Sequence, residues 1–135
     1  MCSPSSGAGV SIAPGVSDSF TGTDFDRDGQ AISYSITGGN TNDDGGAIWG
    51  SGADLRLESV VASANQGTGD GGFAWIYGGD FEAYDSEFSD NSAGDDGGAV
   101  AVISGSFTDV GNVWSSNHGI RGGAAYLQDS VVMAS

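Results

Sequence analysis

The chain has 135 residues, enough for one domain of modest size, and its formal net charge is −15, because three arginines and no lysine stand against 18 acidic residues. This charge argues against binding to nucleic acid or to an anionic membrane surface, and the single cysteine excludes both an intramolecular disulfide framework and a zinc site built on several cysteines. Glycine is abundant at 25 residues and proline rare at 2, which favours glycine in turns over a disordered chain.

The first part of the chain is rich in serine, glycine and proline, and we expect residues 1–19 to form a poorly ordered arm. The chain starts without the basic and apolar segments of a secretion signal. No stretch of the sequence is typical of a transmembrane helix, so we expect no membrane insertion by this chain.

Residues 20–39 combine an acidic turn with a strand. Asp24, Asp26 and Asp28 alternate along the chain before Gly29, as in many Ca²⁺ loops, although the glutamate and the helices of an EF-hand are missing. The turn is therefore either a candidate Ca²⁺ site or a solvated acidic turn. A third interpretation is that residues 28–32 are a degenerate repeat copy, forming a partial coil that caps the N-terminal end.

Residues 40–135 repeat with a period of about 26 residues. Gly-Gly pairs begin at four positions, which are Gly45, Gly71, Gly97 and Gly122. An asparagine precedes each pair, and these are Asn40, Asn65, Asn91 and Asn117. Two apolar columns keep the same register, the first of Thr37, Ala62, Phe88 and Trp114 and the second of Leu55, Phe81, Phe107 and Val131.

Each copy also contains three short apolar runs bounded by Gly, Asn, Asp or Ser, a punctuation typical of strands. Three strands in about 26 residues predict an all-β fold, a single-stranded parallel β-helix of about four coils whose last coil is incomplete. Successive coils would lie about 4.8 Å apart, so that equivalent side chains stack.

The stacking predicts the role of each column. Phe88 and Trp114 should point inward and stack, and the asparagines should occupy one bend, where their amides bond to each other and left-handed backbone angles are tolerated. The paired glycines fit either a backbone with positive φ or a position where a side chain would clash. A further column consists of Trp49, Trp75, Ala101 and Tyr126; alternation places it on the inward face, unless a bulge at the glycines reverses it.

The repeat resembles that of polymorphic outer membrane proteins, known for FxxN and GGA[ILV] motifs. Phe88-Ser-Asp-Asn91 with Gly97-Gly-Ala-Val100 matches both motifs, and Gly45-Gly-Ala-Ile48 matches the second. The resemblance covers about residues 34–135. It implies a right-handed β-helix, a place at the cell surface or in an extracellular passenger, an adhesin-like role and no catalytic residues.

The acidic residues before the glycine pairs are the remaining chemical feature of the repeats. Asp44, Asp70 and Asp96 each precede a pair, where the fourth copy has Arg121. Stacked at the coil spacing, such carboxylates repel each other and raise at least one pKa. They are interpreted first as solvated turns, then as a weaker candidate Ca²⁺ site, and last as an acid/base site. Arg56 should point outward and pair with Glu82 of the next coil.

Together these features predict a structural, adhesin-like module, extracellular or at the cell surface, and not an enzyme. Ca²⁺ is the one candidate cofactor, and the expected partner is an extracellular protein or a carbohydrate. We expect the chain to be a piece of a longer repeat array, whose last coil continues into further repeats or self-associates. The alternative is a carbohydrate-active β-helix enzyme, a polysaccharide lyase or hydrolase, or a remnant of one.

Overall fold

Short parallel strands wind into a β-solenoid in the computed structural model, which describes residues 10–12, 17–21, 24–25, 31–32 and 34–134, with side chains from residue 36 onward. These ranges contain strands and turns but no helix. The strands are β1 (Val10–Ile12), β2 (Ser17–Thr21), β3 (Asp24–Phe25), β4 (Ala31–Ile32), β5 (Tyr34–Thr37), β6 (Asn40–Thr41), β7 (Ile48–Ser51), β8 (Asp54–Glu58), β9 (Val60–Ser63), β10 (Gln66–Gly67), β11 (Ala74–Tyr77), β12 (Asp80–Tyr84), β13 (Glu87–Ser89), β14 (Ser92–Ala93), β15 (Val100–Ile103), β16 (Ser106–Val110), β17 (Val113–Ser115), β18 (Ala125–Gln128) and β19 (Val131–Ala134).

The strands form four sheets along the solenoid, in which each strand pairs with its equivalents in the neighbouring turns. Sheet 1 contains β1, β7, β11, β15 and β18, and sheet 2 contains β2, β8, β12, β16 and β19. Sheet 3 contains β5, β9, β13 and β17, and the short sheet 4 contains β6, β10 and β14. Ala74 pairs in parallel with Ile48 and with Val100, so equivalent residues of these turns are 26 apart. The predicted all-β parallel solenoid of about four turns is confirmed, and sheet 4 adds a fourth side to the three expected.

The first turn is longer than the others, because Val10 pairs with Ile48, which lies 38 residues further on. The antiparallel hairpin of β3 and β4 lies between β2 and β5 in the chain and accounts for the added length. β1 lies within residues 1–19, and β2 starts there and ends at Thr21; these strands pair with β7 and β8. Asp26 and Asp28 of the predicted Ca²⁺ turn lie outside the described residues, as does the side chain of Asp24. That site stays a prediction.

A single left-handed residue turns the chain at each corner of the three turns that begin with β7, β11 and β15. In the turn that starts with β7 these residues are Gly52, Ser59, Ala64 and Gly71; in the next they are Gly78, Asp85, Asp90 and Gly97; in the third they are Ser104, Gly111, Ser116 and Gly122. Their φ angles lie between 47° and 68°. Because one such residue redirects the chain without a long loop, four strands fit into 26 residues.

The corner before β7, β11, β15 and β18 is a Gly-Gly pair, and the two glycines serve different purposes. The first, such as Gly71, has φ 68, and a Cβ there would strike the carbonyl oxygen of Ala74. The second, such as Gly72, lies directly beneath the next turn, where a Cβ would strike the carbonyl oxygen of Gly98. Both explanations offered for the pair from the sequence therefore hold, one for each glycine.

The interior is filled by stacked apolar side chains. Phe81 and Phe107 of sheet 2 stack at 5.5 Å between ring centroids with an interplanar angle of 8°. Phe88 and Trp114 of sheet 3 stack at 4.1 Å and 15°, as predicted. Phe88 also contacts Phe73 and Phe81 in tilted arrangements, so the aromatic rings of three sides meet in one core.

Both apolar columns need a correction of one residue at an end. Ile36, and not Thr37, pairs with Ala62 and packs against the core, while Thr37 is exposed. Val132, and not Val131, pairs with Phe107. In a strand, a shift of one residue moves a side chain to the opposite face, so the predicted residue faces outward in each case.

The asparagine file runs through the corner between sheets 3 and 4. Asn91 donates from its backbone N–H and from Nδ2 to Oδ1 of Asn117, at 3.1 and 3.0 Å. Asn65 donates to Asn91 in the same way, at 3.1 and 2.9 Å. Asn65 and Asn91 are fully buried. The amide stacking is therefore as predicted, although the left-handed residue is the one before each asparagine.

Asn40 does not belong to this file. It is exposed and pairs with Gln66, whereas the N–H of Gly39 donates to Oδ1 of Asn65 at 2.9 Å. The corner residue of this turn is Gly38, at φ 73, which puts Gly39 in the position that asparagine takes in later turns. The prediction for Asn40 is wrong because it followed residue type instead of the period of 26.

Candidate functional site

The outer side of sheet 1 carries the column of Trp49, Trp75, Ala101 and Tyr126, which pair in register across four strands. The inward positions are taken by their neighbours Ile48, Ala74 and Val100, which are fully buried. The inward placement expected from alternation is therefore wrong, and the reversal by a bulge is what occurs.

The bulge is visible in the hydrogen bonds that precede the column. The N–H groups of Ala47 and Ile48 both donate to the carbonyl of Phe73, each at 2.9 Å. The N–H groups of Phe73 and Ala74 likewise share the carbonyl of Ala99, at 2.7 and 3.0 Å. Two consecutive residues therefore face inward, and the tryptophan that follows points outward.

The outward rings form what we call the aromatic face, consisting of Trp49, Trp75, Tyr77 and Tyr126. Trp49 and Trp75 stack at 5.5 Å with an interplanar angle of 13°, and Trp75 and Tyr77 at 5.8 Å and 12°. Tyr77 is 47% exposed, and the two tryptophans are partly exposed. Tyr77 is not among the residues predicted from the sequence, although its position two residues after Trp75 on a strand places it on the same side.

Beside the aromatic face runs the acidic row, Asp44, Asp70 and Asp96, at the corner that leads into sheet 1. Asp44 Oδ1 accepts the backbone N–H of Asp70 at 2.8 Å, and Asp70 Oδ1 accepts that of Asp96 at 3.0 Å. The structure thus stacks these carboxylates turn upon turn. Each one also ties its turn to the next.

Burial is the main cause that raises the pKa of Asp44, and the charges of Asp70, Asp43 and Asp95 raise it further. The pKa of Asp70 is raised for the same main reason, with contributions from Asp96 and Asp95. The backbone hydrogen bond that each carboxylate accepts lowers its pKa but does not cancel the effect of burial. The ionised form of these carboxyl groups is therefore disfavoured, and a bound cation would stabilise it.

Asp95 lies beside the acidic row, next to Asp70 and Asp96. Carboxylate oxygens of Asp70, Asp95 and Asp96 lie within 4.8 Å of one another. Oxygen ligands from several carboxylates suit Ca²⁺, so the candidate Ca²⁺ site at Asp70 and Asp96 stays a prediction with Asp95 as an added ligand. The doublet Asp95-Asp96 was the signal in the sequence that could have revealed this neighbour.

Arg121 closes the acidic row and connects it to the aromatic face. Its Nε donates to Asp96 Oδ1 at 2.9 Å, and its Nη2 donates to Asp96 Oδ2. Its guanidinium carbon lies 4.9 Å from the ring centroid of Tyr126. Asp96 is only 2% exposed, so this pairing neutralises a buried charge.

Arg56 makes a similar arrangement on the outer side of sheet 2. Its Nη1 donates to Glu82 Oε2 at 2.9 Å, as the sequence predicts, and its guanidinium lies 4.2 Å from the ring centroid of Tyr84. Leu55 and Leu57 on either side of it are buried, which confirms the alternation of this strand.

No helix long and apolar enough to span a membrane occurs in the part of the chain that the structure describes. Comparisons with protein-family models, with curated proteins and with solved structures returned no match to this chain. The resemblance to polymorphic outer membrane protein repeats thus depends on the motifs alone, and the site is understood from its own geometry.

Proposed function

We propose that this chain is a structural, adhesin-like module of a secreted or cell-surface protein, a stiff solenoid that attaches to a partner through the aromatic face. The observation that carries the proposal is the outward position of Trp49, Trp75 and Tyr77. The core is already filled by other rings, so these three are not needed to fill it. Partly exposed aromatic side chains of this kind are enriched at binding surfaces.

The interior supports the role of a rigid rod. Each buried asparagine has its amide bonded to the turns on both sides, and the rings stack in register, so one turn cannot move without its neighbours. The net charge of −15 favours solubility and disfavours binding to nucleic acid. The proposed cell-surface location is based on the resemblance of the FxxN and GGA[ILV] motifs to those of polymorphic outer membrane proteins.

Attachment under flow tests this proposal. Beads coated with the protein should be retained on immobilised extracellular matrix proteins or surface polysaccharides, and beads coated with a Trp49→Ser, Trp75→Ser double variant should be released. A Ser63→Ala variant on the opposite sheet 3 is the control, because it changes an outward side chain without touching the aromatic face. Equal retention of all three proteins would argue against the aromatic face as the attachment surface.

A carbohydrate-active enzyme is the second candidate, favoured by the carboxylates of Asp70, Asp95 and Asp96 within 4.8 Å of one another. Burial raises the pKa of Asp70, which suits a proton donor. Incubation with neutral and acidic polysaccharides should then release new reducing ends or unsaturated products, and Asp70→Asn should abolish them. Unchanged substrates across the panel would remove this candidate.

A further inference from the structure

We infer that the aromatic face binds a guanidinium group supplied by an arginine-bearing partner, and that Trp75 and Asp44 form the position where it sits. The inference rests on the proposed attachment role of this face and names the chemistry of the partner. Four observations lead to it.

Arg121 provides an example of the contact within the chain itself. Its guanidinium occupies the junction between the acidic row and the aromatic face, where it donates to the Asp96 carboxylate and lies over the Tyr126 ring at 4.9 Å. The spacing of the two rows therefore accommodates one guanidinium that touches both. A planar cation gains from both contacts, since one carboxylate accepts two parallel hydrogen bonds and the ring face attracts positive charge.

Arg56 repeats the combination on sheet 2, with Glu82 as the carboxylate and Tyr84 as the ring. Both arginines whose side chains the structure describes thus pair with a carboxylate of the preceding or following turn and cover a tyrosine. This recurrence indicates that a guanidinium is well suited to the outer surface of the solenoid.

The position two turns before Arg121 offers the same elements without an arginine. Asp44 is the equivalent of Asp96, because Asp44, Asp70 and Asp96 stack in one file. Trp75 is the equivalent of Tyr126 in register, with Ala101 between them. Asp70 takes the place that Arg121 has two turns later. The position therefore has an indole and two carboxylates but no cation of its own.

Charge complementarity selects the occupant. Asp44 and Asp70 are partly buried, and their carboxylates repel each other. A cation between them would relieve this repulsion. The protein has only three cationic side chains, and the two in the described coils are already paired. Neither arginine whose side chain the structure describes is therefore free to fill this position, and we infer a cation supplied by a partner. Arginine is favoured over lysine because its planar group can both stack on indole and bond a carboxylate through two N–H groups.

The intact protein can be titrated with a flexible Gly/Ser peptide of twelve residues that carries three arginines, with tryptophan fluorescence and calorimetry as readouts. The matched peptides replace arginine by lysine, or by citrulline, which has the same shape without the charge. We expect the arginine peptide to bind about tenfold more tightly than the lysine peptide, and the citrulline peptide not to bind. Trp75→Leu and Asp44→Asn should each weaken binding of the arginine peptide about fivefold to tenfold.

Asp85→Asn provides the charge control. Asp85 is exposed at the corner between sheets 2 and 3, so its removal changes the net charge equally but leaves the aromatic face intact, and affinity should be unchanged. Thermal unfolding of every variant checks that the fold is retained. Equal binding of the arginine and lysine peptides, or an equal loss with Asp85→Asn and Asp44→Asn, would mean general charge attraction and would overturn the inference.

Two further outcomes separate this inference from the proposed function. If a neutral polysaccharide binds and Trp75→Leu abolishes that binding, while the arginine peptide does not bind, the attachment role stands and the guanidinium site is wrong. If the arginine peptide does not bind and the bead assay shows no retention on any surface, both are wrong.

Discussion

Ala64 is strained at its corner of the solenoid. Its φ of 54° is left-handed, an angle that costs a residue with a Cβ about 1 kcal/mol or more. Two of the equivalent corner residues, Gly38 and Asp90, tolerate the angle better. Ala64 is exposed, so its methyl group contributes little packing. We expect Ala64→Gly to raise the free energy of unfolding by about 0.5–1 kcal/mol, measured by urea denaturation.

Ser63→Gly is the matched control for this prediction. Ser63 precedes the corner and lies in the extended strand β9, where glycine only adds freedom to the unfolded chain. It should lower the free energy of unfolding by about 0.5–1 kcal/mol. If both glycine variants lowered it, the corner would not be strained.

Single residues also show where prediction from the sequence ends. The acidic row was predictable, because Asp44, Asp70 and Asp96 share one place in the repeat. The contacts of Arg121 were not, since residue type and period cannot tell that a side chain reaches both the preceding turn and a ring five residues later. A long flexible side chain can reach several partners, and the sequence does not show which of them it contacts.

At the level of elements, the file of asparagines acts as one cooperative unit. Replacing Asn91 with alanine would remove the acceptor of the backbone N–H of Asn65 and the donor to the carbonyl of Ala62 inside the core, and it would leave Nδ2 of Asn65 only its bond to the carbonyl of Ile36. Unsatisfied buried groups cost about 1–3 kcal/mol each, so Asn91→Ala should lower the free energy of unfolding by about 3 kcal/mol or more.

Asn40→Ala is the natural control, because Asn40 is exposed and outside the file. Its effect on the free energy of unfolding should stay within about 0.5 kcal/mol. Guanidinium denaturation of both variants measures the difference. Similar losses in the two would restore Asn40 to the file and contradict the register of sheet 4.

The stacked rings form a second such unit, with Phe88 at its centre. Phe88 is fully buried and contacts Phe73, Phe81 and Trp114. Phe88→Ala should therefore lower the free energy of unfolding by about 3–5 kcal/mol. Trp114 is only partly buried, so Trp114→Ala should cost less than Phe88→Ala in the same denaturation experiment. The reverse order would show that the core is centred elsewhere.

The repeat was enough to predict three of the four sheets, because residues that recur every 26 positions stack in register when short strands wind into a parallel solenoid. It failed where type and period disagreed. Thr37 and Asn40 lie 25 residues before Ala62 and Asn65, whereas Ile36 and Gly39, which take the equivalent positions, lie 26 residues before them. From the sequence, the bulge before sheet 1 is only the alternative to regular alternation, because an alternating pattern does not show that two successive residues face inward.

One element of the fold is not predicted from the sequence. A second polar file follows the corner between sheets 2 and 3, where the N–H of Val60 donates to Ser86 Oγ at 3.0 Å and the N–H of Ser86 to Asn112 Oδ1 at 2.8 Å. Its three members differ in type, so no column of one residue marks them. A shared place in the period is the signal that could have found them.

The molecule as a whole carries far more negative than positive charge, and the acidic row concentrates part of it along one edge. A group whose pKa is higher in the folded protein than in the unfolded chain binds its proton more tightly when folded. Its contribution to stability is then fully present below the unfolded pKa of about 4 and is lost as the pH rises through the folded pKa. Because burial raises the pKa of Asp44 and of Asp70, ionisation of the row opposes folding near neutral pH.

Asp44→Asn tests this at the scale of the whole protein. Asparagine keeps an oxygen that accepts the N–H of Asp70 but removes the charge, so the variant should melt at a higher temperature than the parent at pH 7. The gain should stay below about 1 kcal/mol, because the row is partly solvated, and it should vanish at pH 3, where the parent carboxyl is protonated as well. Asp85→Asn removes one charge at an exposed corner outside the row, so it is the control for net charge and should not raise the melting temperature at pH 7. A gain from Asp44→Asn that is equal at pH 3 and pH 7 would mean that charge in the acidic row does not weaken the fold, and that a cation at the aromatic face has no repulsion to relieve.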